Sequence, residues 1–317
     1  MDLKALNPNG NAFLVSFTKA KKTYKKFISP TLNDLGLTHN EFEILVFLQE
    51  NLEYNTAKDI VEFSGLSKGL ISRSIESLLK KEMLSIKKDD KDKRIFRLYI
   101  SPSANETLNI LNKVSNRFFK LLLEDLKDEE LIFFDEVLNK MITSMEVGNG
   151  SYPNKYIRHD KYYYSLLDKG WKLGAINSQD NHRLNFGDSD NLTGILAYEL
   201  KKDELIEAFR ERRTFSTESR TLEMYFTIND SMMGTEIILK DDTLRFMIFA
   251  EDNNNKIKSI EIVTNKSTIV KKIEDINLNS IKYLYDHKYI EGESWYLIRI
   301  WQQDNRLAIS SPIFIEK

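Results

Sequence analysis

Along the first eighty residues the apolar positions repeat at helical spacing. Phe13, Phe17, Ala20, Tyr24 and Phe27 are separated by steps of three and four, the pattern of an amphipathic helix, and Pro30 is expected to end it. Thr38, with Glu41 three residues on, makes a capping box for a second helix whose apolar stripe is Phe42, Leu45, Val46 and Leu48. The stretch NTAKDIVEFSGL predicts a short third helix ending near Gly65. Ser67 caps a fourth, SKGLISRSIESLLKKEM. On that helix Leu70, Ile71, Ile75, Leu78 and Leu79 share one face, Gly69, Arg73, Glu76 and Lys80 lie opposite, and Lys68 and Ser72 flank them.

Two short strands then follow, one with Leu84 and Ile86 and one with Ile95, Phe96, Leu98 and Ile100, joined by a turn crowded with Lys and Asp. Helix, short helix, helix and basic hairpin is the order of a winged helix-turn-helix. Pro102 suits the first turn of a further helix, with a stripe of Leu108, Leu111, Val114, Phe118 and Leu121. A second stripe, Leu131, Phe134, Val137, Leu138, Met141 and Met145, predicts another. Two long helices exceed what a small reading head needs for its own core, so a two-fold dimer seam is expected there.

From Glu146 the texture changes to EVGNGSYPNKYIRHDKYYY, rich in Gly, Asn and Tyr. A helix is predicted at about Asp160 to Lys169, then a buried strand, WKLGAINS, with SQDNH at its C-terminal end, where α/β folds hold ligands. TGILAYEL reads as another strand and KKDELIEAFRERR as an amphipathic helix. From Arg213 the pattern is all β: Leu222, Met224, Phe226 and Ile228 alternate, as do Leu244, Phe246 and Ile248. About seven short strands suggest an immunoglobulin-like sandwich. Trp295, Tyr296 and Trp301 read as core and interface aromatics, the alternative being a carbohydrate or partner platform.

Composition narrows the function. The 317 residues suit about two domains, and a chain 41% apolar and 30% charged reads as globular. A net charge of −2 excludes a uniformly basic coat for nucleic acid. The charge is nonetheless uneven: Ser67 to Arg97 holds ten Lys or Arg against five Asp or Glu, whereas residues 1–66 hold seven against eight. The excess sits where DNA phosphates would lie. Absence of cysteine removes disulfides, thiolate metal sites and cysteine nucleophiles. With no signal-peptide core at the start and no run near the ~20 apolar residues of a membrane span, a cytoplasmic location is expected.

LTHNEFEILVFL, SKGLISRSIESLLKKEMLSIKKDDKDKR and RLYISP resemble the second helix, recognition helix, wing and closing strand of the MarR (multiple antibiotic resistance regulator) family. The likeness spans about residues 10–145, with LYISPSANE departing where the family usually carries a Gly. It implies that Arg94 in the wing enters the minor groove; on the recognition helix Arg73 is expected to read base edges with Ser67, Lys68 and Ser72 nearby, and Lys80, Lys91 and Lys93 are further DNA-binding candidates. Asp92 would hold the wing turn, since Asp92 and Arg94 fall on the family's Asp-x-Arg pattern. The resemblance also implies a homodimer and a possible small aromatic effector.

EVGNG, YYYSLLDKGWKLGAINSQDNH and DELIEAFRERRTFST resemble the C-terminal part of a PHP (polymerase and histidinol phosphatase) metallohydrolase domain. In that superfamily the Asp-x-His after the late strand supplies metal ligands, here Asp180 and His182. The His-x-His that opens such a site is missing, and the first half of the barrel is replaced by the MarR-like segment. Two adjacent ligands cannot fix a hydrolytic metal cluster, so Asp180 and His182 read as vestigial, with no metal or cofactor expected. Half a barrel also leaves edges and an apolar face that must refold, pair with another chain or lean on the tail.

These readings combine into a multidomain α+β chain. Residues 1–145 are expected to be a mostly α winged-helix DNA-binding and dimerisation domain, 146–212 a truncated PHP-like α/β segment, and 213–317 a β-sandwich. The expected function is a sequence-specific, dimeric transcriptional regulator of double-stranded DNA, with the recognition helix in the major groove and the wing in the minor groove. It is not expected to be an enzyme. The alternatives are a metal-dependent PHP-like phosphoesterase and a non-catalytic partner-binding module in the C-terminal half.

Overall fold

The computed structural model describes residues 11–52, 54–64, 66–89, 92–133, 142–151, 156–180, 187–239 and 242–316. They divide into two compact units, Met1–Leu131 and Ile132–Lys317. Among the described residues no helix is long and apolar enough to cross a membrane.

The first unit is built from helices α1 (Asn11–Asp34), α2 (His39–Glu50), α3 (Ala57–Ser64) and α4 (Lys68–Lys80), the antiparallel pair β1 (Leu84–Lys88) and β2 (Phe96–Ile100), and α5 (Asn105–Leu123). The apolar stripes converge on one core that includes Ile28, Leu32, Leu45, Ile60, Ile71, Leu78, Leu98 and Leu111. Pro30 does not end the first helix. α1 runs on to Asp34 with Pro30 inside it and exposed, because Ile28, Leu32 and Leu37 continue the buried face past the proline. The chain turns instead at Gly36, whose φ of +64° lets Leu37 N–H reach back to the Leu32 carbonyl at 2.8 Å. The capping box at Thr38 forms as expected, and a second one forms at α3, where Asp59 Oδ2 accepts the Thr56 N–H at 2.9 Å and Thr56 Oγ1 accepts the Asp59 N–H at 3.1 Å.

The helix expected to carry Met145 stops short of it. Met145 lies in strand β3 (Ser144–Asn149), where parallel pairing with β5 (Gly174–Ser178) overrides its helical spacing, while Phe134, Val137, Leu138 and Met141 lie outside the described residues. β3 opens the second unit. Helix α6 (Asp160–Asp168) joins it to β5, and β4 (Ile157–Arg158) covers its other edge. Strand β6 (Leu192–Ile195) is shorter than the TGILAYEL pattern suggests: the chain leaves the sheet after Ile195, and Tyr198 and Leu200 stand in solvent. Helix α7 (Lys202–Arg210) follows.

The rest is β. In chain order come β7 (Thr214–Thr217), β8 (Glu223–Ile228), β9 (Ser231–Met232), β10 (Glu236–Ile238), β11 (Thr243–Glu251), β12 (Ile257–Thr264), β13 (Thr268–Ile273), β14 (Ser280–Lys288), β15 (Trp295–Gln302), β16 (Leu307–Ser310) and β17 (Ile313–Glu316). A four-stranded sheet, β14-β11-β8-β9, faces a larger one, β10-β17-β15-β16-β7-β6, with β12 and β13 attached through β15. Between them lie the alternating residues read from sequence, Leu222 to Ile228 and Leu244 to Ile248, with Ile260, Ile298 and Ile300 from the opposite sheet. The strand count is higher than the seven of an immunoglobulin-type sandwich.

The expected seam at residue 213 is crossed by this sheet, since β6 pairs antiparallel with β7. The α/β segment leans on the tail: Val147, Tyr163, Tyr164, Leu167 and Leu173 share a second core with Trp295, Leu297, Leu307, Ile309 and Phe314. Trp295 and Tyr296 are therefore core residues, Trp295 stacking on Tyr164 at 6.1 Å and donating from Nε1 to Asp168. The free edge of β5 is closed by hydroxyls rather than by a strand. Ser311 Oγ accepts the Ala175 N–H at 2.9 Å, and Thr193 Oγ1 both accepts from Asn177 N and donates to Asn177 O.

Candidate nucleic-acid interface

Ser67 begins α4 as its N-cap, its hydroxyl accepting the Leu70 N–H. From there the helix divides cleanly. Ile71, Ser74, Ile75 and Leu78 are buried, while Ser67, Lys68, Gly69, Ser72, Arg73, Glu76 and Lys80 are exposed on the other side. Arg73 Nε donates to the Gly69 carbonyl at 3.2 Å, which lays the guanidinium along the first turn. Lys80 is paired with Glu76 at 2.8 Å in an exposed i,i+4 bridge, which solvent screens and which is easily exchanged for a phosphate.

The tilt of α4 is set from behind. Lys81, just past its C-terminus, donates to Glu41 Oε1 at 2.6 Å and to the Gly36 carbonyl at 2.7 Å. Burial pushes the Glu41 carboxyl up, but hydrogen bonds from Lys81, Ser77 and Thr38 outweigh it and hold the group below the usual carboxylate range. The capping box at the start of α2 thus also anchors the end of the helix that presents Arg73.

In the wing, Asp92 accepts the Arg94 N–H at 3.0 Å and binds its guanidinium through both oxygens, at 3.0 and 2.8 Å. The hydrogen bonds from Arg94 hold Asp92 below the usual carboxylate range, and Asp92 in turn keeps Arg94 charged. The arginine itself is 90% exposed at the tip of the hairpin. Lys93 is exposed beside it, and Lys91 lies outside the described residues. The base of the wing holds a clamp that sequence reading missed. Arg97 donates to Asp89 at 2.5 Å and to Asn55 Oδ1 at 2.9 Å, and the Asn55 carbonyl takes the Leu98 N–H at 2.7 Å. Asn55 is 42 residues away along the chain, so no local pattern announced it. Two further cations stand on the hairpin, Lys87 over the Tyr99 ring and Lys88 over the Phe96 ring.

Of the vestigial metal-ligand candidates only Asp180 is described. Asp180 follows β5 with φ of +47° and its N–H on Ser178 Oγ, while His182 lies outside the described residues. Among the described residues no group of three His, Cys, Asp or Glu side chains could hold a metal ion.

Three helices with the fourth presented outward, followed by a two-stranded wing, define a winged helix-turn-helix. Residues 35–95 match the model of the MarR family, and the N-terminal part of the chain carries a MarR-family winged-helix domain. The chain is 25% identical over 130 residues to the transcriptional regulator AdcR of Streptococcus pyogenes, a match covering 38% of this chain and 87% of that protein. It is 26% identical over 167 residues to an uncharacterised protein of Chlamydia muridarum, covering 46% of this chain but only 27% of that longer relative. Among solved structures, a MarR protein from Peptoclostridium difficile is 19% identical with a TM-score of 0.38, covering 43% of this chain and 88% of that one.

Proposed function

We propose that this chain is a sequence-specific DNA-binding transcriptional regulator. The observation that carries this reading is the polar face of α4, on which Ser67, Lys68, Ser72, Arg73 and Lys80 are all exposed beside a basic wing. In this reading α4 enters the major groove, Arg73 reads a base edge, and Arg94 at the wing tip enters the minor groove with Asp92 holding it oriented. Lys68, Lys80 and Lys93 supply phosphate contacts. Dimerisation belongs to the same proposal. It is supported by apolar side chains left exposed at and beyond the end of α5, where Phe119, Leu121, Leu122 and Leu126 are 41–53% exposed.

Selection of bound duplexes from a random pool by the purified full chain tests it. A two-fold symmetric site should be enriched, with log affinity falling against log salt by about 0.9 per phosphate neutralised. Equal affinity for selected and random duplexes would exclude sequence reading. Residues 146–212 are read as a PHP-like segment without catalysis, an assignment supported by the absence of a His-x-His in the chain. The purified protein should then hold well under one equivalent of zinc, manganese or iron and leave phosphoesters intact. Stoichiometric metal with activity lost in His182→Ala would reverse that assignment.

A further inference from the structure

We propose that the second unit contains a binding site for a small apolar monocarboxylate. The site is a cavity of ≈320 Å³ bordered by Leu196, Ala197, Tyr198, Arg213, Met232 and Thr235. That volume is at the lower end of the range of ligand cavities. Arg213 immediately precedes β7, and its carbonyl takes the Leu196 N–H at 2.9 Å, which ties together the two chain segments that flank the cavity.

The Arg213 guanidinium is half-buried and meets no carboxylate. Arg158, Arg212, Arg220, Arg299 and Arg306 in the same unit each meet a carboxylate. The Arg213 guanidinium makes no hydrogen bond or ion pair among the described residues, and its Nε is shut away from solvent with no acceptor. A buried donor without an acceptor is unfavourable, and a bound anion relieves it. Over this cation lies the Tyr198 ring, 5.4 Å from Cζ. The ring is 85% exposed, so little besides the stacking restrains it, and its rotation opens the guanidinium to a ligand.

The chemistry of the lining selects the ligand. A guanidinium presents a planar fork of donors that matches a carboxylate. Leu196, Ala197 and Met232 offer an apolar surface for a short hydrocarbon or ring, not for a polar body. Glu211 also borders the cavity, and its negative charge penalises dianions such as phosphate more than a monoanion. This site is independent of the DNA-reading face and does not rest on the function proposed above.

Calorimetric titration of the full chain with benzoate and, separately, with hexanoate tests the proposal. Saturable millimolar or tighter binding is expected for wild type, weakened about tenfold in Arg213→Gln, the loss of one charge-assisted pair. Tyr198→Ala should weaken it severalfold, and because that ring is exposed the variant keeps its fold. Glu211→Gln should strengthen it, and phosphate and benzyl alcohol should not bind. Failure of both carboxylates to bind wild type, or equal binding by wild type, Arg213→Gln and Tyr198→Ala, would overturn the site. Loss of self-association in Tyr198→Ala without carboxylate binding would assign the patch to a protein contact instead.

Discussion

Glu41 uses its two oxygens on two different elements, Oε2 on the Thr38 N–H and Oε1 on Lys81. Glu41→Gln should cost about 1–3 kcal/mol, because a buried partner is left poorly satisfied. The carboxyl sits below its ordinary 4.5 in the fold, so its contribution is fully present above that value and drains away as the pH falls from about 4.5 through the lowered folded value. Acid unfolding followed by circular dichroism should show that pH dependence in wild type and lose part of it in the variant. Arg73→Ala, by contrast, should leave stability alone and cost about 1–3 kcal/mol of discrimination between selected and random duplexes, read by competition binding. Gly148, in the EVGNG motif, lies against two side-chain ends: a Cβ there would overlap Tyr156 Oη and Asn177 Oδ1 and force both to shift. Gly148→Ala should therefore lower stability by about 1–3 kcal/mol, measured by denaturant unfolding. At this scale the Asp92–Arg94 pair was legible because its members are two residues apart, whereas the partners of Gly148 come from other elements.

Among the elements, starts were more legible than ends. Caps are local chemistry, and Thr38 and Ser67 announce α2 and α4 in the sequence. Ends depend on how long a buried face is useful, which is why α1 runs through Pro30 to Asp34. Pro30 removes one N–H from that helix and leaves the carbonyl four residues back without its donor. Since Pro30 is exposed, Pro30→Ala should raise stability by about 1–3 kcal/mol, seen as a higher melting temperature. The wing is an element held from outside itself, its base clamped by Arg97 to Asp89 and Asn55. Arg97→Ala should speed amide exchange in β1 and β2 and weaken DNA binding, while exchange in α2 and α4 stays unchanged. A wing equally protected in the variant would show that the clamp is dispensable.

For the whole molecule, the decisive feature is the dependence of the α/β segment on the tail. Half of its core is supplied by Val263, Trp295, Leu297, Leu307, Ile309 and Phe314, so a chain ending at Arg212 should lose the fold of residues 142–212 while α1–α5 still unfold cooperatively. Amide exchange on the shortened chain checks this, and protected amides in β3 and β5 would refute it. The sequence by itself determined the helices and wing of the first unit, the polar face of α4, and which residues of the late strands point inward. Each is a statement about period or spacing within one element, and periodicity reports which side of an element is buried. It does not report what covers that side. That was decided only in three dimensions, by contacts such as Ala175 to Ser311 across 136 residues and Asp168 to Trp295 across 127. The closing of the β5 edge, the placing of Trp295 in a core and the cavity beside Arg213 follow from those distant pairings, because a hydrogen bond or a packed ring depends on separation in space and not along the chain.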